Sequence, residues 1–140
     1  MQLTKFTDYA LRLLIYIAPN REKPYVIAQI AQDLKVSENH LIKIVHFMAK
    51  QNWLITTRGK GGGIRLHPQT LSLKLGNLLR ILENDQPIVD CFAPHQCVLL
   101  PQCNLKHILN QAQEQFYQHL NQFMLSDMLK NKNQIPLVQL

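Results

Sequence analysis

Cys91, Cys97 and Cys103 are the chain's three cysteines, and five residues separate each from the next, in DCFAPHQCVLLPQC. Thiols so placed can do four things. They can be inert and buried, although inert cysteines rarely cluster in a stretch broken by Pro94 and Pro101. Two of them can close as a redox switch, since accessible thiolates oxidise reversibly. They can hold zinc as Cys₃His, with His95 or His107 as the fourth ligand, but zinc sites favour tighter C-x₂₋₄-C pairs. They can hold an iron–sulfur cluster, whose thiolates must surround several irons and so suit wider spacing. By spacing alone, cluster and zinc are nearly equal.

The cysteine segment has to be held by something. The chain has 140 residues and 46% hydrophobic content, enough for a core without disulfides. An odd cysteine number also argues against a disulfide framework, and a reducing cytoplasm is the expected location. The start, MQLTKFTDYALRLL, lacks the pattern of a signal peptide. No apolar run approaches the roughly 18 residues of a membrane span. No nucleophile–base set or paired carboxylates stand out, so an enzyme is not expected.

Charge is uneven. Residues 1–75 carry eleven Lys/Arg against four acids, and the remainder is close to neutral. A basic half suggests a polyanionic partner. Thr4–Ala18 has helical periodicity, with Phe6, Tyr9, Ala10, Leu13, Leu14 and Ile17 on one face. Leu11 and Ile15 lie opposite with Asp8, so this helix is predicted to be covered on both sides. Val26–Leu34 is a second helix and Lys35-Val36 a tight turn. Ser37 is then a good N-cap for a third, SENHLIKIVHFMAKQN. The following WLITTRGKGGGIRLHP reads as a β-hairpin with basic residues at a Gly-rich tip. Its glycines do not have the spacing of a phosphate-binding loop.

These elements predict a mainly α chain with a small β-hairpin: a winged helix-turn-helix followed by a long C-terminal dimerisation helix. Residues 1–75 would form the DNA-binding region and 76–103 a short helix with the cysteine loop. Residues 104–130 would form the dimerisation helix (to about Leu125, roughly 30 Å) and a short terminal helix, and 131–140 a tail. Ser37, Asn39, His40 and Lys43 are the candidates for reading bases. Arg58, Lys60 and Arg65 would contact phosphates or enter the minor groove. A dimer would bind a two-fold symmetric site on double-stranded DNA.

Four stretches carry a family resemblance: MQLTKFTDYALRLLIYIA, VSENHLIKIV, RGKGGGIRL and C-x₅-C-x₅-C. With them the chain resembles, over nearly its whole length, the winged-helix family of iron–sulfur transcription regulators. FTDYALR and NHLIKIV are most similar to its nitric-oxide-sensitive repressors. The resemblance implies a homodimer with one cluster per subunit, [4Fe-4S] favoured over [2Fe-2S], on Cys91, Cys97 and Cys103. In one branch a His three residues after the last cysteine completes the site. Here Lys106 stands there, with His107 one residue on. In the nitric-oxide-sensitive branch an acid of the partner's first helix does so, and Asp8 holds that place. The implied function is a DNA-binding repressor that releases DNA when nitric oxide attacks the cluster. The alternatives are a sensor of cluster supply or redox stress, a winged-helix regulator with a zinc or thiol switch, and a non-regulatory metal carrier.

Overall fold

The computed structural model describes residues 2–91 and 97–130. Helix α1 spans Lys5–Ile17, and the Thr4 hydroxyl accepts from the Thr7 amide at 3.2 Å to cap it. Ala10, Leu13, Leu14 and Ile17 are buried, as the 3.6-residue period requires. The opposite face is less covered: Leu11 is half-buried and Ile15 is 38% exposed.

Helix α2 (Ile27–Leu34) ends where Lys35 adopts the left-handed conformation, φ 54° and ψ 44°. The Val36 amide donates to the Ala31 carbonyl at 3.0 Å and the Lys35 amide to that of Gln32 at 3.2 Å, which closes the turn. Helix α3 (Glu38–Lys50) starts at once. Ser37 holds the N-cap position, yet its side chain makes no capping bond. Leu41, Ile44, Val45 and Met48 face the core. Phe47 meets Phe6 of α1 edge-on at 5.4 Å and Trp53 at 6.2 Å.

Strands β1 (Leu54–Thr57) and β2 (Gly63–Leu66) pair antiparallel, with Leu54 opposite Leu66 and Ile55 opposite Arg65. Tyr25, in what reads from sequence as a plain loop, adds a third short rung. Its amide donates to the Ile64 carbonyl at 2.9 Å, and the Ile64 amide returns the bond at 2.8 Å. A 3-10 turn at Pro68–Ser72 follows and buries Thr70, whose hydroxyl donates to the Trp53 carbonyl at 2.9 Å. The segment Leu125–Leu129, another 3-10 turn, packs on it and buries Leu125 completely. Helix, tight turn, helix and hairpin give the expected winged helix-turn-helix.

Helices α4 (Leu75–Leu82) and α5 (Leu105–Leu120) form a second compact unit, residues 74–123. Gly76 of α4 lies against the Tyr117 carbonyl of α5. Asn77 and Asn121 fasten the same crossing, the Asn77 amide donating to Asn121 Oδ1 at 2.9 Å. Arg80 stacks 4.4 Å from the centre of the Tyr117 ring and pairs with Glu114 at 2.5 Å. Helix α5 is shorter than its apolar period predicts. It stops at Leu120, about 24 Å at 1.5 Å per residue. Beyond it the amides of Gln122 and Phe123 donate three residues back, to the carbonyls of His119 and Leu120, and the Phe123 carbonyl accepts from the Leu75 amide at 2.9 Å. The tail 131–140 lies outside the described residues.

Candidate functional site

Two sets of side chains were predicted to act, and each has its own setting. On α3, Ser37, Asn39, His40 and Lys43 are all exposed. The turn at Lys35 aims the amino end of α3 outward, and its apolar face locks it to α1. His40 leans toward the Tyr9 ring of α1 at 6.4 Å.

On the hairpin, Arg58 and Lys60 are exposed in the turn between β1 and β2. Left-handed backbone at Gly59 (φ 90°) and Gly61 (φ 79°) makes that turn, a conformation glycine adopts without strain. Arg65 is not at the tip, as its place in the sequence suggested. It stands within β2, half-buried, and its guanidinium donates to the carbonyls of Arg21 and Glu22. It therefore ties the loop after α1 to the base of the hairpin.

In the second unit, Cys91, Cys97 and Cys103 all line one cavity of about 100 Å³. The Cys97 amide donates to the Cys91 carbonyl at 3.0 Å, which holds these two residues side by side. The turn Leu100–Gln102 then brings the chain to Cys103, one residue before the N-cap Asn104 of α5. All three thiols are free, and Cys97 and Cys103 are exposed. Leu100, Lys106 and His107 complete the lining. The first turn of α5 holds no acid. The positive end of that helix, with Lys106, therefore favours an anionic group in the cavity. Among the described residues no three of His, Cys, Asp or Glu stand close enough to ligate a single ion. His95 lies outside the described residues.

Asp8 is engaged within its own helix. Arg12 holds it with two contacts, Nε to Oδ1 at 2.9 Å and Nη2 to Oδ2 at 2.8 Å. His107 lines the thiol cavity of the second unit, whereas Asp8 belongs to the winged unit. Sequence reasoning missed Tyr25 and Arg21 as fasteners of the hairpin. The only available signal was the β-rich pair Tyr25-Val26 after Pro24.

No helix is long and apolar enough to cross a membrane among the described residues. The profile of the Rrf2 family, described as iron-dependent transcriptional regulators, matches residues 3–131. The chain is 40% identical over 138 residues to the HTH-type transcriptional regulator NsrR of Bacillus subtilis, covering 96% of this chain and 94% of that protein. It is 38% identical to the NsrR of Oceanobacillus iheyensis, with the same shares covered. Among solved structures it is similar to IscR of T. potens, with a TM-score of 0.72 at 20% identity over 96% of this chain and 92% of that one. It is also similar to CymR, the global cysteine regulator of B. subtilis, with a TM-score of 0.67 at 21% identity over 92% of this chain and 96% of that one. These structures attest the fold. The relatives are named as transcriptional regulators, a non-enzymatic role. With its helix-turn-helix, hairpin and cysteine cavity, the chain belongs to the Rrf2 family of transcriptional regulators and within it is NsrR-like.

Proposed function

We propose that this protein is a cytoplasmic, homodimeric repressor that binds double-stranded DNA and senses nitric oxide through an iron–sulfur cluster. The observation that carries this reading is that Cys91, Cys97 and Cys103 line one cavity in a chain that also presents a basic winged helix-turn-helix. The three thiols fit the group as its ligands, and [4Fe-4S] is favoured over [2Fe-2S]. When bound, the cluster would supply iron open to nitric oxide. The chain's own residues do the rest. Asn39, His40, Lys43 and Ser37 read bases, Arg58 and Lys60 meet phosphates, and Arg65 sets the base of the wing.

Dimerisation through α5 accounts for its uncovered apolar side chains, Leu105 at 53% and Ile108 at 57% exposure. The fourth ligand would be Asp8 of the partner subunit. A carboxylate is a harder donor than a thiolate and the more easily displaced. Its release would free α1, against which α3 is packed through Phe6 and Phe47. The recognition helices of the two subunits would then lose their common spacing. DNA affinity falls only by the difference between the two states. A second reading places His107 as the fourth ligand, because it lines the thiol cavity.

The test is an anaerobic visible spectrum with iron and sulfide assays, then nitric oxide titration while DNA binding is followed. A visible band that bleaches as DNA is released supports the sensor. Stoichiometric zinc, or no metal after anaerobic reconstitution, refutes it and leaves a DNA binder with a different use for its thiols.

A further inference from the structure

The winged unit contains a larger cavity, about 310 Å³, that neither the thiols nor the DNA-reading side chains use. It lies between the carboxyl end of α1, the loop after it and the hairpin base. Its wall is mostly apolar. Ile17 and Tyr25 are buried there, and Leu66 and Leu71 are half-buried. Ile55 stays 44% exposed although it is an aliphatic strand residue. Ile55 sits opposite Arg65 in the β1–β2 register, so both belong to one face of the hairpin.

Two guanidinium groups, Arg21 and Arg65, stand in this apolar wall. Arg21 lies over the Tyr25 ring, 3.6 Å from its centre, and donates to the carbonyls of Lys23 at 3.0 Å and Pro24 at 3.2 Å. Arg65 donates to the carbonyls of Arg21 and Glu22. Every acceptor is a neutral carbonyl. Among the described residues no carboxylate lies within ion-pair distance of either arginine. Two cations without a counter-ion, at the edge of an apolar hollow, favour a molecule with one anionic end and one apolar end. The volume is at the lower end of the roughly 300–1,000 Å³ of small-molecule sites, which favours a short single chain over a nucleotide or a fused ring system.

We infer that this cavity binds a small amphiphilic carboxylate, its apolar body against Ile55, Leu66 and Leu71 and its carboxylate at Arg21 and Arg65. A bound acid would join the loop after α1 to the hairpin base and so restrict the wing. Its effect on DNA affinity rests on the DNA-binding reading and equals the ligand's differential affinity for the two wing positions. The binding itself does not depend on that reading.

The experiment is a titration of the full chain by two-dimensional NMR with octanoate, 1-octanol and inorganic phosphate as separate probes. Octanoate is expected to saturate with shifts at Ile55, Leu66 and Leu71, and octanol to bind at least about tenfold more weakly. Arg21→Gln should weaken octanoate by about tenfold, and Ile55→Trp, which fills the hollow, should abolish the shifts. Lys50→Gln, a lost cation outside the wall, should change neither. Octanol binding as well as octanoate, phosphate giving the same shifts at the same concentration, or octanoate binding that survives both pocket variants each overturns the inference. A chain with all three cysteines changed to Ala should bind octanoate as the parent does, so loss of the cluster reading would leave this result standing.

Discussion

Arg12 grips the Asp8 carboxylate side-on, one turn further along α1, with both oxygens engaged at 2.9 and 2.8 Å. The pair is roughly half exposed on each side, so it contributes little to stability. Arg12→Ala should change unfolding free energy by less than about 0.5 kcal/mol. Its effect on sensing should be larger. If Asp8 of the partner subunit is the fourth ligand, Arg12 competes for it, and Arg12→Ala should slow DNA release by nitric oxide. Asp8→Ala should alter that response in the wild-type Arg12 background. If Arg12→Ala and Asp8→Ala both respond as the parent does while His107→Ala does not, the ligand is His107.

Gly76→Ala tests the support of the cysteine cavity. A β-carbon there would lie 2.1 Å from the Tyr117 carbonyl oxygen and 2.6 Å from Asn121 Oδ1. The first is backbone and cannot swing away, so α5 must shift off α4. Alanine's helix propensity would return about 1 kcal/mol, but overpacking of this kind costs about 1–3 kcal/mol and often more. The expected outcome is net destabilisation of about 1–2 kcal/mol in a denaturant melt and, if the thiols hold the proposed cluster, its weaker retention. A variant as stable as the parent would show that this crossing is looser than drawn.

Much of the winged unit was legible because its signals are local. Apolar period marks α1 to α3, Lys35-Val36 marks the turn, and the Gly-rich run marks the hairpin. What was not legible is what distant residues do to one another. Arg65 reads as one more wing cation, and only the fold shows its guanidinium given to the carbonyls of Arg21 and Glu22. The apolar repeat through Phe123 predicts a helix to about Leu125. The helix stops at Leu120 and the Phe123 carbonyl beyond it accepts from the Leu75 amide, a partner that no pattern in residues 105–125 announces. Even spacing suggested that the cysteines act together, and they do share one cavity. Spacing alone did not separate zinc from a cluster.

Tyr16 and Asp33 form a latch between α1 and α2 whose strength depends on pH. The Tyr16 hydroxyl donates to Asp33 Oδ2, and Gln29 Nε2 donates to Oδ1 at 2.8 Å. The hydrogen bond from Tyr16, then that from Gln29, holds the Asp33 carboxyl below the ordinary aspartate range. The same bond to Asp33 raises the Tyr16 phenol above its ordinary value. A depressed carboxyl adds stability above its unfolded pKa and loses it as pH falls through the folded value. A raised phenol adds stability below its unfolded pKa and loses it as pH rises through the folded one. The latch should therefore hold from mildly acid to mildly alkaline conditions. Tyr16→Phe should lower Tm near neutrality by about 2 °C, since both groups face solvent. The difference should vanish at pH below the aspartate range. A constant difference down to that pH would assign the effect to packing.

Three polar residues of the winged unit, Lys60, Asn39 and Arg65, should fail differently when changed. Lys60 is exposed in the turn between β1 and β2. Lys60→Ala should weaken binding to specific and unrelated duplexes alike, and reduce the slope of log K against log salt by about 0.9. Asn39 is exposed in the first turn of α3, where an amide can bond an adenine edge twice. Asn39→Ala should leave the salt slope unchanged and cost about 1–3 kcal/mol on the operator alone. Arg65→Gln should resemble neither. Its guanidinium serves the carbonyls of Arg21 and Glu22, so its loss should loosen the hairpin base, seen as faster amide exchange at Tyr25 and Ile64. If Arg65→Gln instead lowers the salt slope by one phosphate contact and leaves exchange at Tyr25 unchanged, Arg65 is a DNA contact and the hairpin base is held without it.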